Sequence, residues 1–233
     1  MKWIIFTVVV VAIFGGIIAF NKKDDKAFTG DATKAITEGE IQDHVFGSLE
    51  QKVVLIEYGD FQCPGCRSMY TPVKELTEKY KDKLTFIFRN MPLTNIHPNA
   101  LAAATAAEAA GLQGKYYEMH SQLYEAQDSW SGAPIDKRQS IFEGYASQIG
   151  LNVDQFKKDL LEIKISDKIG RDKTTGVDTF KVESTPTFVL NGTVIKGSDA
   201  VTADKLIKLI EDALKAAYGD AVIQPTTEPI NTQ

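Results

Sequence analysis

The sequence predicts an α/β sandwich with a helical insertion. Two short apolar runs, Lys52–Tyr58 and Leu84–Arg89, read as buried strands, and apolar residues recur at helical spacing between them. A long block with helical periodicity follows. An Asn191-Gly192 pair then separates the runs Thr187–Leu190 and Thr193–Ile195, which predicts a hairpin. The order strand, helix, strand, helical block, hairpin and helix therefore predicts a sheet flanked by helices.

Local signals set the helix boundaries. The first helix is predicted to begin at Cys63-Pro64, because proline suits the first helical turn, and to end near Lys81. An alanine-rich helix is predicted from Pro98 to Ala110, with Gly111 as its C-terminal stop. Two further helices are predicted around Tyr116–Tyr124 and Ile141–Ile149. Another is predicted to follow a cap at Asn152 or Asp154, and the last covers Ala203–Tyr218.

Composition excludes several classes of protein. The chain has 233 residues, of which 43% are hydrophobic and 24% charged, as in ordinary globular proteins. Two cysteines are too few for a disulfide-rich small domain or for a four-cysteine zinc site within one chain. Acidic residues outnumber basic residues by 31 to 26, so a nucleic-acid partner is not expected.

Residues 1–21 predict a signal anchor that spans a membrane once. The run from Trp3 to Phe20 has no charged residue, and as a helix it would measure about 27 Å, close to a hydrocarbon core of about 30 Å. A cleaved signal peptide is the alternative, but its apolar core is usually shorter and ends in a small-x-small site. A buried core helix would show a polar face, and this run has none.

The rest of the chain divides into three parts. Residues 22–44 are predicted to be a polar tether, 45–218 the folded domain, and 219–233 a disordered tail without periodicity. The lysines that follow the anchor favour a cytoplasmic domain by the positive-inside rule. The chemistry of the two cysteines favours an extracytoplasmic domain, and we give it precedence.

Cys63 and Cys66 form the motif that carries chemistry. They flank Pro64-Gly65, the predicted active-site loop, at the point where a strand gives way to a helix. Sulfurs three residues apart in the first helical turn are close enough to bridge. Unpaired N–H groups at the helix start favour a thiolate at Cys63, which makes it the nucleophile, and Cys66 would resolve the mixed disulfide.

Three other interpretations of this pair remain open. The cysteines could be inert and buried, could form a structural disulfide, or could supply half of a metal site shared between two chains. The histidines His44, His97 and His120 lack ligand spacing to the pair, so no metal and no cofactor are predicted.

The chain resembles the DsbA-like thiol–disulfide oxidoreductases in three places: Glu57–Cys66, Ser184–Phe188 and the Asn191-Gly192 hairpin. The resemblance covers roughly 45–218 and includes a helical insertion at about 97–176. It implies a thioredoxin-like fold, with a central mixed sheet flanked by helices, that here follows the predicted transmembrane helix. It also implies an exported protein that acts on disulfides in other proteins.

The resemblance extends to three further positions. Thr185-Pro186 matches the family's cis-proline dipeptide, which faces the cysteines and would bind an extended substrate through the Thr185 backbone like an added strand. The alternative is an ordinary trans proline at a strand start. Glu57 matches a buried acid that helps move the proton of the inner cysteine, and burial would raise its pKa. A strand-end carboxylate facing solvent is the alternative.

Other positions give weaker evidence of function. His97-Pro98 matches a recurrent family element, for which we predict helix capping rather than catalysis, whereas His44 and His120 read as structural or surface residues. The chain departs from the strongest oxidants of the family in having Pro-Gly instead of Pro-His between the cysteines, so a weaker oxidant is expected. It also has Ser184 where the family often has glycine.

These observations predict a membrane-tethered enzyme that introduces disulfides into exported proteins. Its substrates would be protein or peptide thiols, a membrane redox partner would reset the cysteine pair, and the chain would act as a monomer. The first alternative is a reductase fed by a membrane electron donor. The second is a non-catalytic binding or holdase module, against which the intact cysteine pair argues.

Overall fold

A computed structural model describes residues 39–195 and 202–223 of the chain. Its sheet has five strands. They are β1 (Val45–Phe46), β2 (Val53–Gly59), β3 (Leu84–Asn90), β4 (Thr187–Leu190) and β5 (Thr193–Val194), in the order β1-β3-β2-β4-β5. Only β2 and β3 are parallel, so the sheet is mixed. Both central strands are buried along their whole length, as their continuous apolar runs predict.

Eight α-helices flank the sheet in the described part of the chain. They are α1 (Pro64–Lys79), α2 (Ala100–Gly111), α3 (Tyr116–Glu125), α4 (Gln127–Trp130), α5 (Ile135–Gln148), α6 (Val153–Asp159), α7 (Ile163–Phe180) and α8 (Ala203–Tyr218). Helices α2 to α7 lie between β3 and β4 in the chain. The predicted sandwich with its helical insertion is therefore confirmed, and the edge strand β1 is an addition to it.

The alternation of side chains along β2 divides the core into two parts. Leu55 belongs to the larger cluster, which includes residues of α1 and α8, whereas Val54 and Ile56 belong to the smaller cluster with Phe180 of α7. Because side chains two residues apart share a face, Glu57 lies on the Leu55 face, beneath α1. The sheet face of Glu57, which alternation alone leaves open, follows from this packing.

The turn residues behave as their sequences indicate in one case and not in another. Asn191 and Gly192 both have positive φ, 47° and 78°, as the predicted two-residue hairpin requires. Helix α2 ends at Gly111 as predicted, but Gly111 is its last helical residue and does not have the positive φ of a glycine cap. The chain continues through Leu112 in helical conformation and reverses at Gly114, where φ is 76°.

Asn152 caps α6 by accepting a hydrogen bond from the Gln155 N–H at 2.9 Å.

The folded domain begins earlier than the predicted boundary at residue 45. Ile41 is buried, and the Asp43 carboxylate, 2% exposed, contacts Lys168 of α7 at 2.9 Å and Arg89 of β3 at 2.7 Å. These ionic contacts hold the end of the predicted tether against the sheet. The end of the predicted tether is therefore part of the folded domain, and residues 22–38 lie outside the described part of the chain.

The other terminal predictions fall largely on residues that are not described. In the segment predicted as a tail, Asp220–Ile223 form a short 3-10 helix, and Lys215 contacts Asp220 at 2.6 Å. Residues 220–223 are therefore helical, whereas residues 224–233 of the predicted tail lie outside the described part of the chain. The predicted anchor, 1–21, lies outside the described residues. Within 39–195 and 202–223, the helices are too short or too polar to cross a membrane.

Candidate active site

The two cysteines lie where β2 gives way to α1. Cys63 is the N-cap residue of α1, and Pro64 occupies the first helical turn as its missing N–H predicts. The Cys63 N–H donates to the Asp60 carbonyl at 3.0 Å, which closes the turn between strand and helix. Both cysteines are free thiols, and Cys63 is 8% exposed whereas Cys66 is 0% exposed. Only Cys63 is therefore in reach of a second protein.

The surroundings of Cys63 favour its thiolate. A hydrogen bond from the Cys66 thiol lowers the pKa of Cys63 to about 5, against burial, which would raise it. The Thr185 side chain and the backbone N–H groups of Cys66 and Gly65 also lower it. The Thr185 hydroxyl is buried and has no other hydrogen-bond partner among the described residues, so it is free to donate to the thiolate. Cys63 is thus ionised at neutral pH.

The surroundings of Cys66 have the opposite effect. Burial raises the pKa of the Cys66 thiol well above its ordinary value, and its hydrogen bond to Cys63 and the charge of Glu57 raise it further. The Asp60 N–H donates to the Cys66 sulfur at 3.5 Å and opposes this only in part. One cysteine is therefore a thiolate and the other a thiol at the same pH.

The loop before β4 meets the cysteines directly. The Thr185–Pro186 bond is cis, as the resemblance implies, and the Cys63 sulfur lies 3.5 Å from the Thr185 carbonyl oxygen, to which it donates only when it is protonated. A Cβ placed on Gly65 would lie 3.3 Å from the Pro186 Cδ, which is tighter than an ordinary contact. Glycine between the cysteines therefore lets this loop pack closely over the start of α1.

Glu57 lies inside the protein beneath the cysteines. It is 2% exposed and is placed in register between Phe88 of β3 and Phe188 of β4, both fully buried. Burial, reinforced by the charge of Cys63, raises the pKa of Glu57 to about 8. The carboxyl is therefore protonated at neutral pH and close to the sulfurs, which excludes the solvent-facing alternative.

Asp60 holds the loop that carries Cys63, a function that the sequence did not indicate. Its buried carboxylate accepts the N–H groups of Gln62 at 2.7 Å and Leu93 at 2.9 Å, and it contacts His97 Nδ1 at 2.7 Å. His97 therefore binds this carboxylate, and the predicted helix-capping role is wrong, because Asn99 occupies the N-cap position of α2.

The helical insertion also supports the cysteine loop. The Gln127 side chain of α4 is buried and donates from Nε2 to the carbonyls of Phe61 at 2.7 Å and Cys63 at 3.2 Å. The amide has two N–H donors, so it can satisfy the Phe61 carbonyl and add a second hydrogen bond to the Cys63 carbonyl, which also accepts the Arg67 N–H at 3.1 Å. The contact of Gln127 with the cysteine loop could not be predicted from local sequence, because it joins residues 64 positions apart.

The other histidines lie away from the sulfurs. His44 stacks on Tyr116 at 3.8 Å between ring centroids and contacts Glu108 at 2.8 Å, so it has a structural role. His120 is buried among aromatic rings, in agreement with a structural interpretation. Among the described residues, no three His, Cys, Asp or Glu side chains are grouped as a metal site would need.

The difference between the two cysteines predicts a titration. The rate at which iodoacetamide alkylates the reduced protein should rise with a midpoint near pH 5, because only the thiolate reacts. Cys66→Ala should move this midpoint upward, since it removes the hydrogen bond with the largest effect on the Cys63 pKa. A midpoint near the ordinary thiol value of about 8.5 in the unchanged protein would contradict this assignment.

One known protein family matches most of this domain. The family described as thioredoxin matches residues 40–212, which include both cysteines and the Thr185–Pro186 loop. Among curated proteins, the chain is 35% identical over 184 residues to the Na⁺/H⁺ antiporter NhaA 1 of Salinispora arenicola. The match covers 79% of this chain but 26% of that protein, so the chain spans about a quarter of the relative's length.

Solved structures share the fold at lower sequence identity. A thioredoxin-like oxidoreductase from Silicibacter pomeroyi superposes with a TM-score of 0.62 and 22% identity, over 81% of this chain and 98% of that one. The thiol-disulfide exchange protein α-DsbA2 of Wolbachia pipientis superposes with a TM-score of 0.61 and 22% identity, over 73% of this chain and 86% of that one.

Proposed function

Because this chain belongs to the thioredoxin family and has the fold of DsbA-type proteins, we propose that it is a thiol–disulfide oxidoreductase that introduces disulfides into exported proteins. The observation that carries this proposal is the opposite displacement of the two thiol pKa values, downward at Cys63 and upward at Cys66. A thiolate stabilised in the folded protein favours the reduced form of the pair, and a stable reduced form makes a stronger oxidant.

The proposed reaction transfers two electrons from substrate to protein. A substrate thiolate attacks Cys63 in the Cys63–Cys66 disulfide, forming a mixed disulfide and releasing Cys66 as a thiolate. Cys66 then takes up a proton, for which the protonated Glu57 carboxyl is the nearby donor. A second substrate thiolate attacks the substrate sulfur, the substrate disulfide forms, and Cys63 leaves as a thiolate. Its low pKa makes it a good leaving group.

Substrate would be held by the loop before β4. The Thr185 backbone lies next to Cys63, and an extended substrate segment could pair with it as an added strand. Membrane tethering by residues 1–21, an extracytoplasmic site, monomeric action and a membrane redox partner complete the proposal. The uncharged run from Trp3 to Phe20 and the oxidising compartment that such chemistry needs support it.

The reduction potential decides the net direction. The Cys63 pKa of about 5 lies between about 3.5 in DsbA and about 7 in thioredoxin, whose potentials are about −120 and −270 mV. We expect a value between about −120 and −200 mV in equilibrium with glutathione. A potential near −270 mV would instead support the reductase.

Two further measurements test the rest of the proposal. A binding or holdase module would assist refolding of a reduced substrate equally well after both cysteines are replaced, whereas the oxidase would lose its activity.

A tag placed after Gln233 should be labelled from outside intact cells. Labelling only after lysis would contradict the extracytoplasmic orientation.

Glu57→Gln should slow the resolving step, by which we mean the breaking or re-forming of the Cys63–Cys66 bond with its proton transfer at Cys66. The amide keeps the shape of the side chain but cannot give up a proton, so we expect a loss of about 100-fold in rapid-mixing kinetics. Glu75→Gln, on the exposed side of α1, is the matched control and should leave the rate unchanged. An equal rate in both variants would remove Glu57 from the mechanism.

A further inference from the structure

A cavity of about 390 Å³ lies between α1 and α3, next to β1 and β3. Its walls are mostly apolar, with Val73 on one side and the rings of Phe86, Tyr117 and Tyr124 on the others. Neither cysteine lines it. Cavities of this volume with apolar walls and few polar groups are typical of small-molecule sites. The volume is enough for a molecule of one or two rings.

Two buried polar groups line this cavity without an adequate partner. His120 is buried, and its Nε2 has no hydrogen-bond partner among the described residues. The Glu57 carboxyl reaches the cavity from the sheet, and its pKa is set by burial and by Cys63, with no hydrogen bond contributing. Buried polar atoms are almost always paired, so an unpaired nitrogen on a side chain that lines a cavity indicates a missing partner.

The charges of the cavity favour a neutral occupant. Burial, with a smaller effect of Lys74, lowers the pKa of His120 to about 3, so the imidazole is neutral. Glu57 is protonated at neutral pH as well. The charged groups Lys74, Glu78 and Glu118 line the same cavity, and they include both signs. All three are exposed, and Lys74 is already paired with Glu125 at 3.0 Å. An ionised group placed deep in the cavity, beside His120 and Glu57, would therefore lose its hydration without meeting an opposite charge, which is costly.

We propose that this cavity binds a neutral aromatic molecule of one or two rings whose hydroxyl donates a hydrogen bond to the unprotonated nitrogen of His120, and that an occupant slows the resolving step. The aromatic walls would pack against the rings of the ligand. An occupant would also separate the Glu57 carboxyl from water, its route of proton exchange with solvent. Binding does not depend on the thiol chemistry, whereas the effect on the resolving step rests on the proposed function.

Binding is tested first in a chain without thiol chemistry. The 233-residue chain with Cys63→Ser and Cys66→Ser is titrated with p-cresol, with toluene as the analogue without the hydroxyl and 4-methylbenzoate as the anionic analogue. Calorimetry should give saturable binding in the order p-cresol, toluene, 4-methylbenzoate. The side-chain nitrogen resonances of His120 should shift on addition of p-cresol. If 4-methylbenzoate binds as well as p-cresol, or if p-cresol does not saturate, the proposal is wrong.

Two substitutions locate the binding. His120→Phe should weaken p-cresol by about fivefold, the worth of one hydrogen bond, and leave toluene unchanged. Ser121→Trp, at a partly exposed position that lines the cavity, should block both ligands and does not depend on the folding of the His120 variant. Unchanged p-cresol affinity in Ser121→Trp would show that the ligand binds elsewhere and would overturn the proposal.

The second half of the proposal is tested by kinetics on the unchanged chain. Saturating p-cresol should slow the resolving step, whereas the same concentration should have no effect on the Ser121→Trp protein. Saturation without any change in rate would overturn this coupling. If the unchanged chain has no thiol–disulfide activity at all, the proposed function fails, but the binding result from the cysteine-free chain still stands or falls by itself.

Discussion

Cys66→Ser, mixed with a substrate that contains a disulfide, should accumulate a mixed disulfide through Cys63, whereas Cys63→Ser should reduce refolding of a reduced substrate to the uncatalysed rate. The reason is the exposure of the two sulfurs: Cys63 is 8% exposed and ionised near pH 5, whereas Cys66 is 0% exposed and holds its proton. A serine hydroxyl cannot replace the thiolate as nucleophile or leaving group. In the Cys66 variant, the Cys63 thiolate attacks the substrate disulfide and displaces one of its sulfurs, and no neighbouring thiol remains to release the other.

Non-reducing electrophoresis and mass spectrometry distinguish the two variants. The chain has two cysteines, so any adduct of the Cys66 variant must be on Cys63. The adduct should disappear on addition of dithiothreitol. Equal adduct yields in the two variants would mean that both sulfurs meet substrate, which would contradict the assignment of Cys66 as the resolving thiol.

Asp43→Ala should lower the free energy of unfolding by about 3–5 kcal/mol, the usual cost of removing one partner from a buried ion pair. The change leaves Lys168 and Arg89, each almost fully buried, without the carboxylate that they share. Asp212→Asn breaks the exposed pair with Lys208 and is the matched control, for which we expect no measurable change. Urea denaturation of all three proteins at neutral pH makes the comparison.

The same cluster predicts a pH dependence. Burial alone would raise the pKa of Asp43, but Lys168 and Arg89 outweigh it and hold that pKa below its ordinary value. A carboxyl with a lowered folded pKa contributes stability that is present above about pH 4 and is lost as the pH falls further. The difference in stability between the Asp43→Ala and unchanged proteins should therefore shrink in acid. A constant difference from pH 7 to pH 3 would contradict the ionic account.

Features set by local sequence were predictable. Pro64 after Cys63 indicates the start of α1, and Asn191-Gly192 indicates the hairpin, because each depends on the conformation of the residues themselves. The face of Glu57 was not predictable, since both faces of β2 are covered and alternation has no polar side to mark. Its burial follows from α1 packing over that face.

Features set by distant residues were not predictable. Asp43 lies in a polar stretch and reads as tether, yet its partners are 46 and 125 positions away. His97 precedes a helix, so capping is its local interpretation, but its partner Asp60 is 37 positions away. Short-range pattern contains no information on such pairs. The candidate site was therefore predictable in its cysteines and its proline loop, and not in the contacts that position them.

The Asp60 carboxylate has a consequence for exchanging parts between related proteins. It joins the cysteine loop, through Gln62, to the segment after β3, through Leu93 and His97. Transplanting the four-residue motif Cys63–Cys66 into another scaffold would leave this brace behind, and so would replacing residues 91–99 by a loop of different length. Both loops and Asp60 therefore belong to one unit, so evolution or design would have to move them jointly.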